Sequence, residues 1–203
     1  MAASIKAVIW DMGGVLLQEH DPRPRAKLAE TYGLELRQLY EMVFRSDSAN
    51  LASQGVIAEE EHWEWVRQTA HVPAEEMNNF QVQFWSGDGV DPSIISFIKE
   101  LKGSYKTALL SNAWSLTRMY LKEYYNVLDL FDEVIISSEV KLAKPDPAIY
   151  QKMLNLLHIQ PEEAIFVDDM QVNVDAANAL GIRGVHFKSS AQAISDIRQM
   201  LNQ

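Results

Sequence analysis

From Pro92 to the end of the chain, short apolar runs alternate with segments whose apolar residues recur every three or four positions, and that alternation leaves few architectures open. The runs lie at residues 106–110, 133–136, 164–167 and 184–187. The helical-period segments lie at about 92–102, 114–125, 146–157, 171–180 and 191–201, with Gly181 as a helix stop. A chain that alternates in this way builds an α/β fold, a doubly wound and mostly parallel sheet. A further run, residues 5–10, is almost continuously apolar, as expected of a strand covered on both faces. It stops at Asp11, followed by Gly13-Gly14.

Between the first strand and the alternating part the period changes. From about Pro22 to Trp85 the spacing is helical: Leu28 and Tyr32, then Leu36, Leu39 and Val43, then Trp63, Val66 and Ala70. Pro73 suits the first turn of another helix. Roughly four helices and no strand are expected there. Residues 86–92, Ser-Gly-Asp-Gly-Val-Asp-Pro, are rich in turn formers and read as a hinge or linker. The expected organisation is a core of residues 1–16 and 89–203 interrupted by a helical insertion, 17–88.

The chain has 203 residues and no cysteine, so a disulfide framework, a thiolate metal site and a thiol nucleophile are excluded. Its formal net charge of −10 argues against a nucleic-acid or anionic-membrane surface. No run approaches the length of a membrane span, and the N-terminal residues lack the layout of a secretory signal, so a soluble, cytoplasmic protein is expected. The acidic balance poses a question if the ligand is an anion.

In doubly wound sheets the ligand sits beyond the carboxyl ends of the strands. Asp11 ends the first strand, Ser111-Asn112 the second and Asp168-Asp169 the fourth, and a loop between them carries Lys144-Pro145-Asp146-Pro147. Each has an ordinary reading alone: Asp11 a turn aspartate, Ser111 and Asn112 helix caps, Lys144 a surface lysine, one of the aspartates a cap of the next helix. Together they make a different set. A carboxylate can attack phosphorus, a lysine and a divalent cation neutralise the phosphoryl oxygens, and a hydroxyl positions them. Adjacent carboxylates repel unless a cation lies near, and oxygen-only ligands suit Mg²⁺.

These stretches resemble the motifs of the haloacid dehalogenase-like hydrolase superfamily. The first is Val8-Ile9-Trp10-Asp11-Met12-Gly13-Gly14-Val15-Leu16, the second Leu109-Leu110-Ser111-Asn112, and the third Lys144-Pro145-Asp146-Pro147 with Ile149-Tyr150. The fourth is Ile165-Phe166-Val167-Asp168-Asp169 with Asn173, Ala176 and Gly181. The resemblance extends over the whole chain. It is strongest to small sugar-phosphate phosphatases and the phosphatase domain of soluble epoxide hydrolases. It implies a Rossmann-like core with a helical cap at 17–88 that closes over the site. Asp11 would be the nucleophile that forms an aspartyl-phosphate and a Mg²⁺ ligand, Asp169 a direct ligand, and Asp168 a residue orienting the lysine or a metal-bound water. Ser111 would bind the transferring phosphoryl group with the Asn112 backbone beside it. Lys144 would bridge phosphate and nucleophile, with Lys141 the second choice because no proline follows it, and Asn173 would support the metal loop. The partner would be a small phosphorylated metabolite.

One position departs from the pattern. Most phosphatases that these motifs resemble carry a second aspartate two residues after the nucleophile, for acid–base work; here it is Gly13. Its carbonyl can still serve the metal, but loss of a general acid costs about 10²–10⁴ in rate. Glu19 and His20 follow the turn and are candidate replacements, with solvated loop residues as the alternative. Within the insertion, Arg45 is a candidate for steering an anion, and Trp114, three residues after Ser111, is placed to edge the pocket. Two other readings stay open: a 2-haloacid dehalogenase using Asp11 without metal, and a non-catalytic phosphate-binding or interaction protein. Oligomeric state is not readable.

Overall fold

The computed structural model describes residues 4–202. In chain order its elements are β1 (Ala7–Trp10), β2 (Leu17–Glu19), α1 (Arg23–Thr31), α2 (Leu36–Tyr40), α3 (Asp47–Ser53), α4 (Glu59–Thr69), α5 (Met77–Trp85), β3 (Asp88–Val90) and α6 (Pro92–Leu101). They continue with β4 (Lys106–Ser111), α7 (Thr117–Met119), β5 (Glu133–Ile136), α8 (Ser137–Val140), α9 (Pro147–Leu157), β6 (Ala164–Asp168), α10 (Gln171–Ala179), β7 (Arg183–His186) and α11 (Ser190–Leu201).

The main sheet has the order β5-β4-β1-β6-β7, and all four strand pairings are parallel. From β1 the chain builds outward on one side through β4 and β5, then returns to the other side for β6 and β7. The switch point therefore lies at β1, with β4 and β6 as its two neighbours. The alternation of side chains along β1 explains its unbroken apolar sequence. Val8 and Trp10 face the layer that contains Ile94, Phe97 and Ile98 of α6 and Ile197 of α11. Ala7 and Ile9 face the layer of Ile149, Tyr150, Met153, Leu154 and Leu157 of α9. Both faces are dry, so neither offers a place for a polar residue until the strand ends.

The helical segment has a core of its own: Leu28, Leu39, Met42, Val43, Trp63, Val66, Val72, Phe80 and Phe84 are buried together. It holds five α-helices rather than four. The α2 spacing slips into a π turn at Glu41–Arg45, where the carbonyl of Val43 lies 3.0 Å from Nε2 of the buried His62. That bond serves a carbonyl of the last turn before the C-cap Ser46, where helical carbonyls lack a partner within the helix.

Three details differ from the sequence expectation. Residues 86–92 are not a plain linker: Asp88–Val90 pairs antiparallel with Leu17–Glu19 as a two-stranded ribbon at the root of the helical lobe. Three residues on each side suffice because the main sheet and the lobe flank the ribbon. The segment at 114–125 is helical only in pieces, α7 followed by a π turn at Tyr120–Tyr124. The helix expected after Pro73 opens as a 3₁₀ turn at Ala74–Glu76 before α5. Among the described residues no helix is long and apolar enough to cross a membrane.

Candidate active site

Asp11 follows β1 directly and is held there by its backbone N–H, which donates to the Val167 carbonyl at 2.9 Å. The ends of β1 and β6 are thereby tied together, which brings Asp11 beside Asp168. Lys144 lies between the two: its Nζ is 2.7 Å from Asp11 Oδ1 and 2.7 Å from Asp168 Oδ2. Lys144 and Asp168 are fully buried and Asp11 nearly so. A lysine buried to this degree stays charged only between carboxylates. Its ammonium is held above its ordinary pKa by Asp11 and Asp168, against burial, which on its own acts most strongly and in the opposite direction.

The lysine is delivered by its backbone. Asn112 donates from Nδ2 to the Lys144 carbonyl at 2.8 Å and accepts from the Lys144 N–H at 2.8 Å on Oδ1. This two-bond grip joins the loop after β4 to the loop before α9. Asn112 was expected beside the ligand through its backbone; its side-chain amide is committed to Lys144. The Lys144–Pro145 peptide is cis. Lys141, the second choice, is exposed at the left-handed C-cap of α8 and joins none of these contacts. Ser111 is buried at the carboxyl end of β4, the strand next to β1.

The two aspartates after β6 have different surroundings. Asp168 is saturated: Oδ1 accepts from the Met170 N–H at 2.8 Å and Oδ2 from Lys144, and Asn173 Nδ2 approaches both oxygens at 3.0 and 3.1 Å. Asn173 is in turn fixed by Tyr150, whose hydroxyl donates to its carbonyl at 3.0 Å. Asp169 is exposed, and among the described residues no other residue donates to its carboxylate. It lies against Gly14, where a Cβ would come within 2.5 Å of Asp169 Oδ2. Gly14 also has φ +74°, so glycine is required there twice over. Gly13 is different, because a Cβ there meets nothing within 4 Å.

Asp11, Asp168 and Asp169 each offer a carboxylate oxygen within 4.8 Å of the others. Burial pushes the Asp11 carboxyl up to about 7 against the pull of Lys144. Burial, then the Asp168 charge, raises Asp169. Three carboxylates around one ammonium are short of positive charge, and all the donors are hard oxygens. A hard divalent cation fits both conditions. Since Asp168 is spent on Lys144, Met170 and Asn173, the oxygens left for a cation belong to Asp11 and Asp169.

The other candidates lie elsewhere. Glu19 is bound in an ion pair with Arg25 (3.1 Å) and accepts from the Tyr40 hydroxyl, so it is not available as a replacement acid. His20 packs its ring against Gly89 of the ribbon. Arg45 is exposed at the end of the π turn and makes no ion pair among the described residues. Trp114 packs against the core of the helical lobe, with its indole N–H donating to the Ala49 carbonyl at 3.3 Å.

Sequence reasoning missed the Asn112 grip, the Tyr150–Asn173 support and the buried Arg25. Arg25 ion-pairs with Asp88 at 2.6 Å as well as with Glu19, donates to the Phe84 carbonyl at 2.9 Å, and lies 4.3 Å from the centre of the Phe84 ring. The only sequence signal for it was a basic residue on the apolar side of α1.

A five-stranded parallel sheet with an aspartate at its switch point, and a lysine and acidic pair at the neighbouring strand ends, defines a class of hydrolase. A haloacid dehalogenase-like hydrolase family model matches residues 5–181, and the chain belongs to that family. It is 27 % identical over 202 residues, 99 % of both chains, to the sesquiterpene phosphatase of Aspergillus oryzae. It is 28 % identical over 128 residues to the D-ribitol-5-phosphate phosphatase of Bacteroides thetaiotaomicron, covering 59 % of this chain and 62 % of that one. In fold it is similar to a HAD-family enzyme of Bacteroides thetaiotaomicron solved with magnesium and inorganic phosphate, with a TM-score of 0.77, 22 % identity and coverage of 91 % and 95 %.

Proposed function

We propose that the protein is a Mg²⁺-dependent phosphatase that hydrolyses a small phosphorylated metabolite through an aspartyl-phosphate on Asp11. The observation that carries this reading is Lys144 Nζ at 2.7 Å from both Asp11 and Asp168, with the carboxylate of Asp169 left over beside them. The relative of matching length is described as a phosphatase, and the magnesium and phosphate bound by the Bacteroides enzyme agree with this donor set.

In this mechanism Asp11 attacks phosphorus with one carboxylate oxygen as the bond from phosphorus to the ester oxygen breaks, and the leaving oxygen takes its proton from solvent; water then attacks phosphorus, breaks its bond to Asp11 and releases inorganic phosphate. Lys144 stays bonded to Asp11, orients it, and neutralises charge on the phosphoryl oxygens. Ser111 and the backbone N–H of Asn112 position those oxygens. Asp11, Asp169 and the carbonyl of Gly13 would hold the Mg²⁺, which when bound supplies the positive charge that the acidic cluster lacks. Asp168 acts through Lys144, and Asn173 holds Asp168. The helical lobe, residues 17–88, acts as a cap that swings on the β2–β3 ribbon and excludes water.

Gly13 leaves the leaving group without an aspartate to protonate it, so esters with good leaving groups turn over fastest. The deciding measurement is phosphate release from acetyl phosphate and an aryl phosphate with Mg²⁺ and after thorough chelation. Release that depends on Mg²⁺ and is lost in Asp11→Asn is expected. Release that survives chelation, or halide release from a 2-haloacid without metal, would overturn the proposal.

A further inference from the structure

The loop that leaves the end of β4 carries Ser111, Asn112 and, two positions on, Trp114. Around Trp114 the helical lobe gathers aromatic rings. Phe44 is stacked with it at 6.4 Å and 19°, and Trp85 meets it edge-on at 6.2 Å. Phe44 and Trp85 are themselves 5.7 Å apart. Phe44 is 39 % exposed although it sits among these rings, and Trp85 and Trp114 are half-buried. The π turn presents Phe44 here, with the Val43 carbonyl tied back to His62. One side of the Phe44 ring packs on the core residue Phe84 at 5.4 Å, and more than a third of its surface is nonetheless left open to solvent.

The polar groups of this cluster are almost all spent internally. The Trp114 N–H is on Ala49, the Trp63 N–H on Glu59 at 3.3 Å, and the Tyr40 hydroxyl on Glu19. Both His62 nitrogens are engaged, on Ser48 and Val43. The Arg25 guanidinium is engaged by Glu19, Asp88 and Phe84. Among the described residues, the indole N–H groups of Trp85 and of Trp65, which stacks on His62, are without an acceptor in this cluster. The rings thus offer a ligand faces rather than hydrogen bonds. A polyol bound there would lose water without replacing its hydrogen bonds, whereas a hydrocarbon would gain contact area.

We infer that the exposed faces of Phe44, Trp85 and Trp114 form an apolar subsite for the organic part of the phosphoester, so that the substrate is a phosphorylated hydrocarbon chain or ring system and not a phosphorylated polyol. This rests on the reading of the Asp11 site as a phosphatase centre.

The test separates binding from turnover. Asp11→Asn protein with Mg²⁺ is titrated calorimetrically with ethyl, butyl, hexyl and octyl phosphate below their micelle concentrations, and with glycerol phosphate. A buried methylene is worth about fourfold in affinity, so Kd is expected to fall at least tenfold from ethyl to octyl, with glycerol phosphate no tighter than ethyl. Adding Phe44→Ser is expected to shrink the span to threefold or less. A flat series, or glycerol phosphate binding tighter than octyl phosphate, overturns the subsite, and the unsubstituted ring cluster gives that answer even if Phe44→Ser does not fold. Phosphate release is measured separately on the unmodified protein. Chain-length-dependent binding of esters that are never hydrolysed upholds the subsite and overturns the phosphatase reading, while hydrolysis indifferent to chain length does the reverse.

Discussion

The molecule buries two cations, each between two carboxylates, and they differ in what they leave over. Lys144 sits between Asp11 and Asp168 at the ends of β1 and β6. Arg25 sits between Glu19 and Asp88 where the ribbon meets the helical lobe. Arg25 gives one N–H each to Glu19, Asp88 and the Phe84 carbonyl and lies over the Phe84 face, which ties α1 to the ribbon; what it leaves over, Asp88 Oδ1, is buried away from any ligand. Lys144 is a point charge that pairs with two of three clustered carboxylates and leaves Asp169 open at the surface. A buried ion pair therefore does not by itself mark a site. Unbalanced charge at the sheet's switch point does.

The comparison is broken most directly by removing Asp11, the proposed nucleophile. Asp11→Asn is expected to lower phosphate release by at least about 10³ with the fold retained, whereas Asp88→Asn should leave turnover within about threefold. A loss in Asp88→Asn as large as in Asp11→Asn would erase the distinction between the two clusters.

The next effect is on stability. Arg25→Met leaves Glu19 and Asp88 facing each other without a cation, and removal of one partner of a buried pair costs about 3–5 kcal/mol. Lys144→Met does the same to Asp11 and Asp168. Urea unfolding with and without Mg²⁺ separates them: the cation is expected to restore part of the loss in Lys144→Met and none in Arg25→Met. Equal responses would mean that the acidic cluster is not a cation site.

Gly13→Asp adds a carboxylate where a Cβ finds open space. It is expected to raise turnover of alkyl phosphates about 10-fold to 100-fold and to change acetyl phosphate turnover much less, since that leaving group needs no proton. Equal gains on both would refute the role assigned to Gly13.

The smallest effect concerns pH. Burial pushes Asp88 up to about 6 against the pull of Arg25. The folded protein then holds a proton on Asp88 that the unfolded chain has released. The stability this contributes is complete below the ordinary carboxylate range and is lost as pH rises through about 6. Unfolding free energy measured between pH 4.5 and 7 is expected to fall less steeply in Asp88→Asn than in the unmodified protein; unchanged slopes would contradict the assignment.

Much of the fold was legible from local pattern. The unbroken apolar run in β1 and the alternation after Pro92 report burial residue by residue, and the parallel sheet follows from them. The ribbon was not legible, because Leu17–Glu19 and Asp88–Val90 are three residues each, polar, and read as turns until they are set side by side. The region at 114–125 was misread as one helix because its apolar spacing does not distinguish an α-helix from α and π turns in series. Glu19 looked free after the Asp11 turn because its partners, Arg25 and Tyr40, are supplied by two helices of the lobe.

The chain's own order of residues determined the α/β class, the strand ends where polar groups gather, and the preference for Lys144 over Lys141. These depend on periodicity and on neighbours in sequence. Tertiary structure alone decided that Asp168 is saturated and Asp169 open, that Asn112 grips the Lys144 backbone across 32 positions, and that Arg25 meets Asp88 across 63. It also gathered Phe44, Trp85 and Trp114 around one loop. Those pairings join positions that neither helical nor strand period relates, and they form only when the sheet and the helical lobe have packed and each buried charge has to find a partner.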